Sequence, residues 1–300
     1  MLKRAWFNIR YALLLSGCWL FGKLPSWLLY HVFLDVIYFF VYKVAGYRIG
    51  VVRDNLRRAF PEKDAEELHI IEKKFYLQLA EIFIDTIDLI SISRKDMAKR
   101  LEFIGTEQHE AEVAGGSWVA ALAHYGSWEY FTSYQMFTDA QVVGVYHKLH
   151  SGLFEKLYKY SRARCGAKPV AMRDTMRYVV ESARAGRAIV LGLIADQAPR
   201  MGEKPNWFDF FSQKTDFYIG PEKIALKFHM PVYFIYTRKK ARARYMAEFV
   251  RIYDGVEDVP KGEITRRYAV RLEAMIRESP WLWMWSHKRW KKQYKPSDEQ

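Results

Sequence analysis

A histidine at the exit of an apolar run, with a carboxylate five positions later, is the arrangement in this chain best suited to chemistry. The run reads Trp118-Val-Ala-Ala-Leu-Ala-His124-Tyr-Gly-Ser-Trp-Glu129. A carboxylate bonded to one ring nitrogen of an imidazole fixes its tautomer, and the other nitrogen can then take a proton from an attacking hydroxyl. On one continuous helix, residues five apart lie about 140° around the axis and do not meet. The pair therefore needs a corner. Val119 to Ala123 is a short continuous apolar run, as expected for a buried strand. Gly126 and Ser127 supply a turn and a candidate helix N-cap, and Trp128, Glu129 and Tyr130 open a helix. This strand-turn-helix corner is expected to fold Glu129 back onto His124. The same spacing also suits a histidine that closes a buried strand beside a glutamate placed by the helix dipole.

The elements that must position this corner follow from patterning. From 54 to 92 the pattern is helical, broken at Pro61 and restarted at Ala65 or Glu66, with Phe75, Leu79, Ile82, Phe83, Ile87 and Ile90 as packing positions. Beyond the corner the chain alternates. Strands are expected over 141–146, 169–172 and 188–195, with helices over 153–165 and 175–185 between them. Further strands are expected over 232–237 and 245–252, and a closing helix over 265–278. Alternation of this kind predicts an α/β fold, a mixed central sheet flanked by helices.

Composition narrows the partners. The chain has 300 residues, half of them hydrophobic, with 10 Trp, 20 Tyr and 19 Phe and a formal charge of +13. A basic, aromatic-rich surface suits an anionic partner, either nucleic acid or an anionic membrane. Cys18 and Cys165 are the only cysteines, which supports neither a disulfide framework nor a zinc site. The N-terminus favours the membrane. Two apolar stretches, 11–21 and 27–42, flank Lys23-Leu-Pro25, and basic residues precede and follow them. Each is shorter than the roughly 20 apolar residues of a span, and the second carries His31 and Asp35. The expectation is an N-terminal hydrophobic anchor over 1–47, as an interfacial hairpin or one imperfect span, with the body of the protein on the cytoplasmic side. An aromatic-rich pair of core helices in a soluble protein is the other reading. A single catalytic domain over 48–295 and a disordered polar tail over 296–300 complete the division.

Several ordered motifs then resemble one family, the lipid A biosynthesis (lauroyl/myristoyl) acyltransferases. His124 with Glu129 matches the H-x4-D/E motif of acyltransferases, and Gly126-Ser-Trp-Glu129 is similar to that family's G-N-W-E. Arg53-Asp-Asn55-Leu56-Arg-Arg-Ala-Phe60-Pro61 resembles its R-x-N-L-x-x-A-F-P segment, and Asp196-Gln197 resembles its D-Q pair. Phe210-Phe211 and Thr215 lie in a segment like its F-F-G and T-x-x-G region. The stretch from Glu273 through Ile276, Pro280, Trp283, Trp285 and His287 to Arg289 resembles its closing signature. The chain departs from the pattern at Ser127, where Asn is common, at His147, where Arg is frequent, and at Ser212, which replaces the Gly of F-F-G. The gap from Thr215 to Gly220 is also longer. These departures bear on acceptor and acyl specificity, not on the base and its carboxylate.

The resemblance implies transfer of a fatty acyl chain from an acyl carrier protein thioester to a hydroxyl of a lipid A precursor. His124 would be the general base, Glu129 its orienter, and no cofactor would be needed beyond the acyl-carrier co-substrate. Arg164 would bind the developing oxyanion or an acceptor phosphate, unless it merely shares a solvated basic helix face with Arg162. Asp196 and Gln197 would order the substrate-binding shell or serve as buried caps. His287 and Arg289 would contact membrane or phosphate. The implied partners are acyl carrier protein, an anionic lipid or lipid A precursor and the inner membrane at its cytoplasmic face, not nucleic acid. Two alternatives stand beside this reading: a related acyltransferase acting on another membrane lipid (a glycolipid, aminolipid or glycerophospholipid), and a non-enzymatic basic membrane- or nucleic-acid-binding protein.

Overall fold

Five parallel strands and two reversed ones form the central sheet, in the spatial order β1 (Leu101–Ile104), β9 (Arg244–Tyr253), β8 (Val232–Ala241), β2 (Trp118–Leu122), β5 (Ile189–Ile194), β3 (Gln141–Tyr146) and β4 (Lys168–Ala171). The computed structural model describes residues 2–200, 202 and 204–294, so the expected tail over 296–300 lies outside the described residues. Helix α1 (Leu2–Gly22) is followed by α2 (Leu28–Val44), a helix broken by π turns, and by α3 (Ile49–Ala59). Helix α4 (Ala65–Asp88) begins at the boundary the pattern indicated. Its N-terminus carries a reciprocal cap, with the Asp64 carboxylate accepting from the Glu67 N–H at 2.8 Å and the Asp64 N–H donating to Glu67 at 3.0 Å. A short α5 (Arg94–Met97), β1 (Leu101–Ile104) and α6 (Thr106–Val113) lead into β2 (Trp118–Leu122).

β2 lies at the heart of the sheet, between β8 and β5, which is why it reads as an unbroken apolar run: all five residues are buried. Then come β3 (Gln141–Tyr146), α7 (Gly152–Ala163), β4 (Lys168–Ala171), α8 (Thr175–Arg184) and β5 (Ile189–Ile194), each within two residues of its expected bounds. The expected α/β alternation is therefore present. A hairpin of β6 (Trp207–Phe210) and β7 (Gln213–Asp216) stands apart from the sheet, followed by α9 (Gly220–Phe228), β8 (Val232–Ala241), β9 (Arg244–Tyr253) and α10 (Glu263–Glu278). The two-residue turn of the small hairpin holds Phe211 and Ser212 at φ +52° and +56°. Both therefore occupy the left-handed region that a primed hairpin turn demands and a glycine would take without strain.

Two expectations about helices need correction. Phe83, assigned to a packing face of α4, is 48% exposed, while Glu72, Gln78, Glu81, Asp85 and Asp88 are buried. Of these, Asp85 meets the His124 corner through Ser127, and Gln78 and Glu81 bond Tyr245 behind it, while Glu72 and Asp88 pair with Arg53 and Arg100. After Ser127 the chain forms a 3₁₀ helix (Trp128–Met136), and Ser127 does not cap it; its hydroxyl donates to the buried Asp85 carboxyl instead.

No single helix among the described residues is long and apolar enough to cross a membrane; only α2 with α3, bent by 89°, passes that test as a pair. One side of α2 packs on α4 through Leu29, Tyr30 and Leu34. Trp6, Leu13, Trp19, Leu20, Trp27, Phe39 and Phe40 remain exposed on the N-terminal helices.

Candidate active site

The register of the sheet assembles the site. β2 and β5 are adjacent and parallel, with Leu122 opposite Ile194, so two residues past each strand the chain places His124 beside Asp196. Carboxyl ends of parallel strands are where open α/β sheets gather ligands. The His124 Nδ1 lies 2.8 Å from Asp196 Oδ1, and the His124 backbone N–H donates to Oδ2 at 2.9 Å. A third donor, the Trp283 indole N–H, reaches Oδ2 at 2.7 Å. Asp196 is 1% exposed. Burial alone would raise its pKa, but the His124 ring and these N–H donors outweigh that and hold the carboxyl below the usual carboxylate range. With Nδ1 committed to an ionised acid, Nε2 is the nitrogen left to take a proton. The Gln197 amide nitrogen stands 3.5 Å from it.

Glu129 is not the partner of His124. Its carboxylate is buried in a clamp with Arg162, whose Nε and Nη2 donate to Oε2 and Oε1 at 2.7 and 2.8 Å. The Tyr158 hydroxyl also donates to it, and so does the Trp128 indole N–H at 3.0 Å. Burial opposes ionisation here too, and the Arg162 guanidinium beside it brings the pKa below the ordinary value. Through this clamp Glu129 fixes the Trp128 indole, which meets the His124 ring edge to face at 5.0 Å between centroids. The expected contact does not form because Arg162 and Tyr158 of α7 hold the Glu129 carboxylate on the α7 side of the corner.

Arg164 also stands elsewhere. It is exposed and donates to the Ile92 carbonyl at 2.8 Å, away from the strand ends. The buried arginine of α7 is Arg162, 5% exposed, and its remaining Nη1 faces the Val145 and Gly144 carbonyls at 3.3 and 3.5 Å. Its donors are committed to the protein, so it is a structural cation rather than a substrate ligand. Sequence gave no sign separating the two arginines beyond their positions on one amphipathic helix.

The closing segment, assigned from sequence to membrane or phosphate contact, is instead the strap that holds the corner. Met284 N–H donates to the His124 carbonyl at 3.0 Å and Gly126 N–H to the Leu282 carbonyl at 2.9 Å. Gly126 itself sits at φ +56°, and a Cβ there would lie 2.7 Å from the Tyr245 ring. His287 Nε2 accepts from the Ala198 N–H at 3.2 Å, and burial pushes this histidine down to about 4, so it stays neutral and bracing. Arg289 is 2% exposed, stacked over Phe217 and bonded to the Asp216 carbonyl at 2.8 Å. Asn55 of α3 ties down the strap by donating to the Trp285 and His287 carbonyls, both at 2.7 Å.

Behind Trp128 and Ser127, an enclosed and largely apolar cavity of about 20 Å³ adjoins the corner, walled by Leu122, Phe131 and Tyr245. Its volume suits about one water molecule.

The motifs that looked scattered in sequence thus meet in one place. Asn55 and Phe60 lie against Trp285, Phe211 bonds Glu273 at 2.6 Å, and Trp283 bonds Asp196. No curated protein matches the chain. A model of the bacterial lipid A biosynthesis acyltransferases matches residues 3–292, and by that match, which takes in the His124 corner and its strap alike, the chain belongs to this acyltransferase family.

Proposed function

We propose that the protein transfers a fatty acyl chain from an acyl carrier protein thioester to a hydroxyl of a lipid A precursor, at the cytoplasmic face of the inner membrane. One observation carries the mechanism: His124 Nδ1 is bonded to buried, ionised Asp196 while Nε2 is left for substrate. The acceptor hydroxyl gives its proton to Nε2 as its oxygen attacks the thioester carbonyl. Asp196 stabilises the imidazolium that forms. When the tetrahedral intermediate collapses, the C–S bond breaks and the imidazolium returns the proton to the departing thiolate. No protein nucleophile takes part, and no cofactor is required beyond the acyl-carrier co-substrate. The Gln197 amide, near Nε2, is assigned the developing oxyanion. Glu129 and Arg162 hold the wall against which the imidazole rests.

The membrane reading is supported by the exposed tryptophans, phenylalanines and leucines of the first 47 residues and by the net positive charge. An acidic carrier protein and a phosphorylated lipid acceptor both suit such a surface. The test is transfer by purified protein from an acyl-carrier thioester to a lipid A precursor, read by mass spectrometry. Wild type should add one acyl chain and His124→Ala none. Transfer that persists in His124→Ala would refute the base, and transfer only to a different lipid would refute the acceptor.

A further inference from the structure

The β8–β9 hairpin extends far beyond the strand beside it. β2 pairs with β8 only over Val119–Ala121 and Val232–Phe234, so Ile235 to Ala241 run on past the catalytic end of β2. At about 3.3 Å per residue that is a reach of roughly 20 Å. The tip lands on the apolar N-terminal helices: Ala243 is buried with Leu29, Tyr30 and Leu34, and the Arg242 guanidinium donates to the Tyr30 carbonyl. The catalytic edge, the hairpin tip and α2 therefore share one end of the molecule.

Between this tip and α4 lies an open cleft of about 410 Å³ with an apolar wall of Leu77 and Trp281 over the buried Leu34. Four cations border it, and they are not equivalent. Lys239 is neutralised by Glu81 at 2.7 Å and Lys240 by Glu102 at 2.6 Å. Lys74 and Arg242 meet no carboxylate among the described residues; the Lys74 ammonium rests over the Trp281 ring at 4.5 Å, and Arg242 spends one donor on a carbonyl. We propose that this cleft binds an anionic phospholipid of the bilayer, its phosphate between Lys74 and Arg242 and its chain along Leu77 and Trp281. The inference rests on the membrane reading of the N-terminal helices and names the lipid class they sit beside. Charge complementarity supplies the headgroup site, and the bond from Arg242 to the Tyr30 carbonyl sets that site against α2, a helix that exposes Val36, Phe39 and Phe40, which favours a lipid over a soluble anion.

A basic cleft at the other end of the sheet provides the control. β9 ends at Tyr253, opposite the start of β8 and away from His124, and there Arg251 and Arg271 border a cleft of about 470 Å³. The experiment is co-sedimentation of the full chain with phosphatidylcholine vesicles, with and without phosphatidylglycerol. Wild type should bind the anionic vesicles roughly tenfold more tightly or better, as expected for two cations near a charged surface. Lys74→Gln/Arg242→Gln should lose most of that preference while keeping its binding to phosphatidylcholine, and Arg251→Gln/Arg271→Gln should keep the preference. Equal losses in both double variants would overturn the site in favour of diffuse charge. Lys74→Gln alone, which leaves the Arg242–Tyr30 contact intact, should lose about half of the preference on a logarithmic scale; an unchanged preference there would also overturn it. Failure of wild type to bind any vesicle would instead overturn the membrane reading itself.

Discussion

Asp196→Asn separates the relay seen here from the one a sequence motif suggests. The carboxylate accepts from the His124 ring, the His124 backbone and Trp283, at 2.8, 2.9 and 2.7 Å. Asparagine has nearly the same shape, so the strap and the turn stay in place while the charge is removed. Two unit charges about 4 Å apart interact by about 4 kcal/mol at an effective dielectric of 20, and each 1.36 kcal/mol is tenfold in rate. Loss of the imidazolium's counter-charge therefore costs about 10³ in kcat. If the new amide NH₂ faces Nδ1, the tautomer also inverts and Nε2 carries the proton it should accept. The comparable change in the Ser-His-Asp triad costs about 10⁴, and a loss of 10³ to 10⁴ is expected here. The assay is steady-state acyl transfer at saturating acceptor, with thermal melting to show that the variant is folded. A folded Asp196→Asn within tenfold of wild type would refute the relay.

The remaining predictions concern the supports of the site. Glu129→Gln leaves the Arg162 guanidinium buried without its counter-charge, which should cost about 3 to 5 kcal/mol of stability, seen as a lowered Tm; among molecules still folded, kcat should fall less than in Asp196→Asn. Ionised Glu129 also sets an acid limit: its folded pKa is lowered, so the Arg162 clamp contributes fully above the ordinary glutamate pKa of 4.5 and is lost as pH falls below it. Acid melts of wild type and Glu129→Gln should accordingly converge. Asp85 gives the opposite sign. Burial first, then the neighbouring Glu81, pushes its carboxyl from 3.8 up to about 7. The folded protein thus holds a proton that the unfolded chain releases, and stability should fall as pH rises from about 4 to 7 and then level off. Asp85→Asn, which still accepts from Tyr30 or Ser127, should flatten that part of the Tm profile. Replacing Trp6, Leu13 and Leu20 with serine removes three exposed apolar side chains, each worth about 1.5 to 3 kcal/mol when buried, and should release the protein from neutral vesicles in a flotation assay.

Much of the fold was legible because its signals are local. The β3, β5 and α8 periodicities, the Asp64 to Glu67 start of α4 and the apolar run of β2 are each carried by consecutive residues. His124 was legible for the same reason. Its bond to Asp196 was not, because Asp196 lies 72 positions away and reaches it only through the adjacency of β2 and β5; strand order is a property of the whole sheet, not of a segment. Glu129 misled because its partner, Arg162, lies 33 positions away on α7, a long-range pairing that the local spacing does not show. β1 and the β6–β7 hairpin had no expected counterpart. Leu101–Ile104 is four residues long and mixed in character, and Trp207–Asp216 carried a family motif whose strands its polar residues obscured. The expected surface contacts of His287 and Arg289 do not appear because charge suggests a surface, whereas Arg289 is buried against Phe217 and the Asp216 carbonyl and His287 is half-buried, accepting from the Ala198 N–H.

The most direct test of the central claim is mass spectrometry of lipid A and total phospholipids from cells lacking this gene, complemented with wild type or with His124→Ala. Lipid A short of one acyl chain, restored by wild type and not by His124→Ala, is the predicted result. Fully acylated lipid A in the cells lacking the gene, with a different membrane lipid missing its chain, would contradict the proposed acceptor.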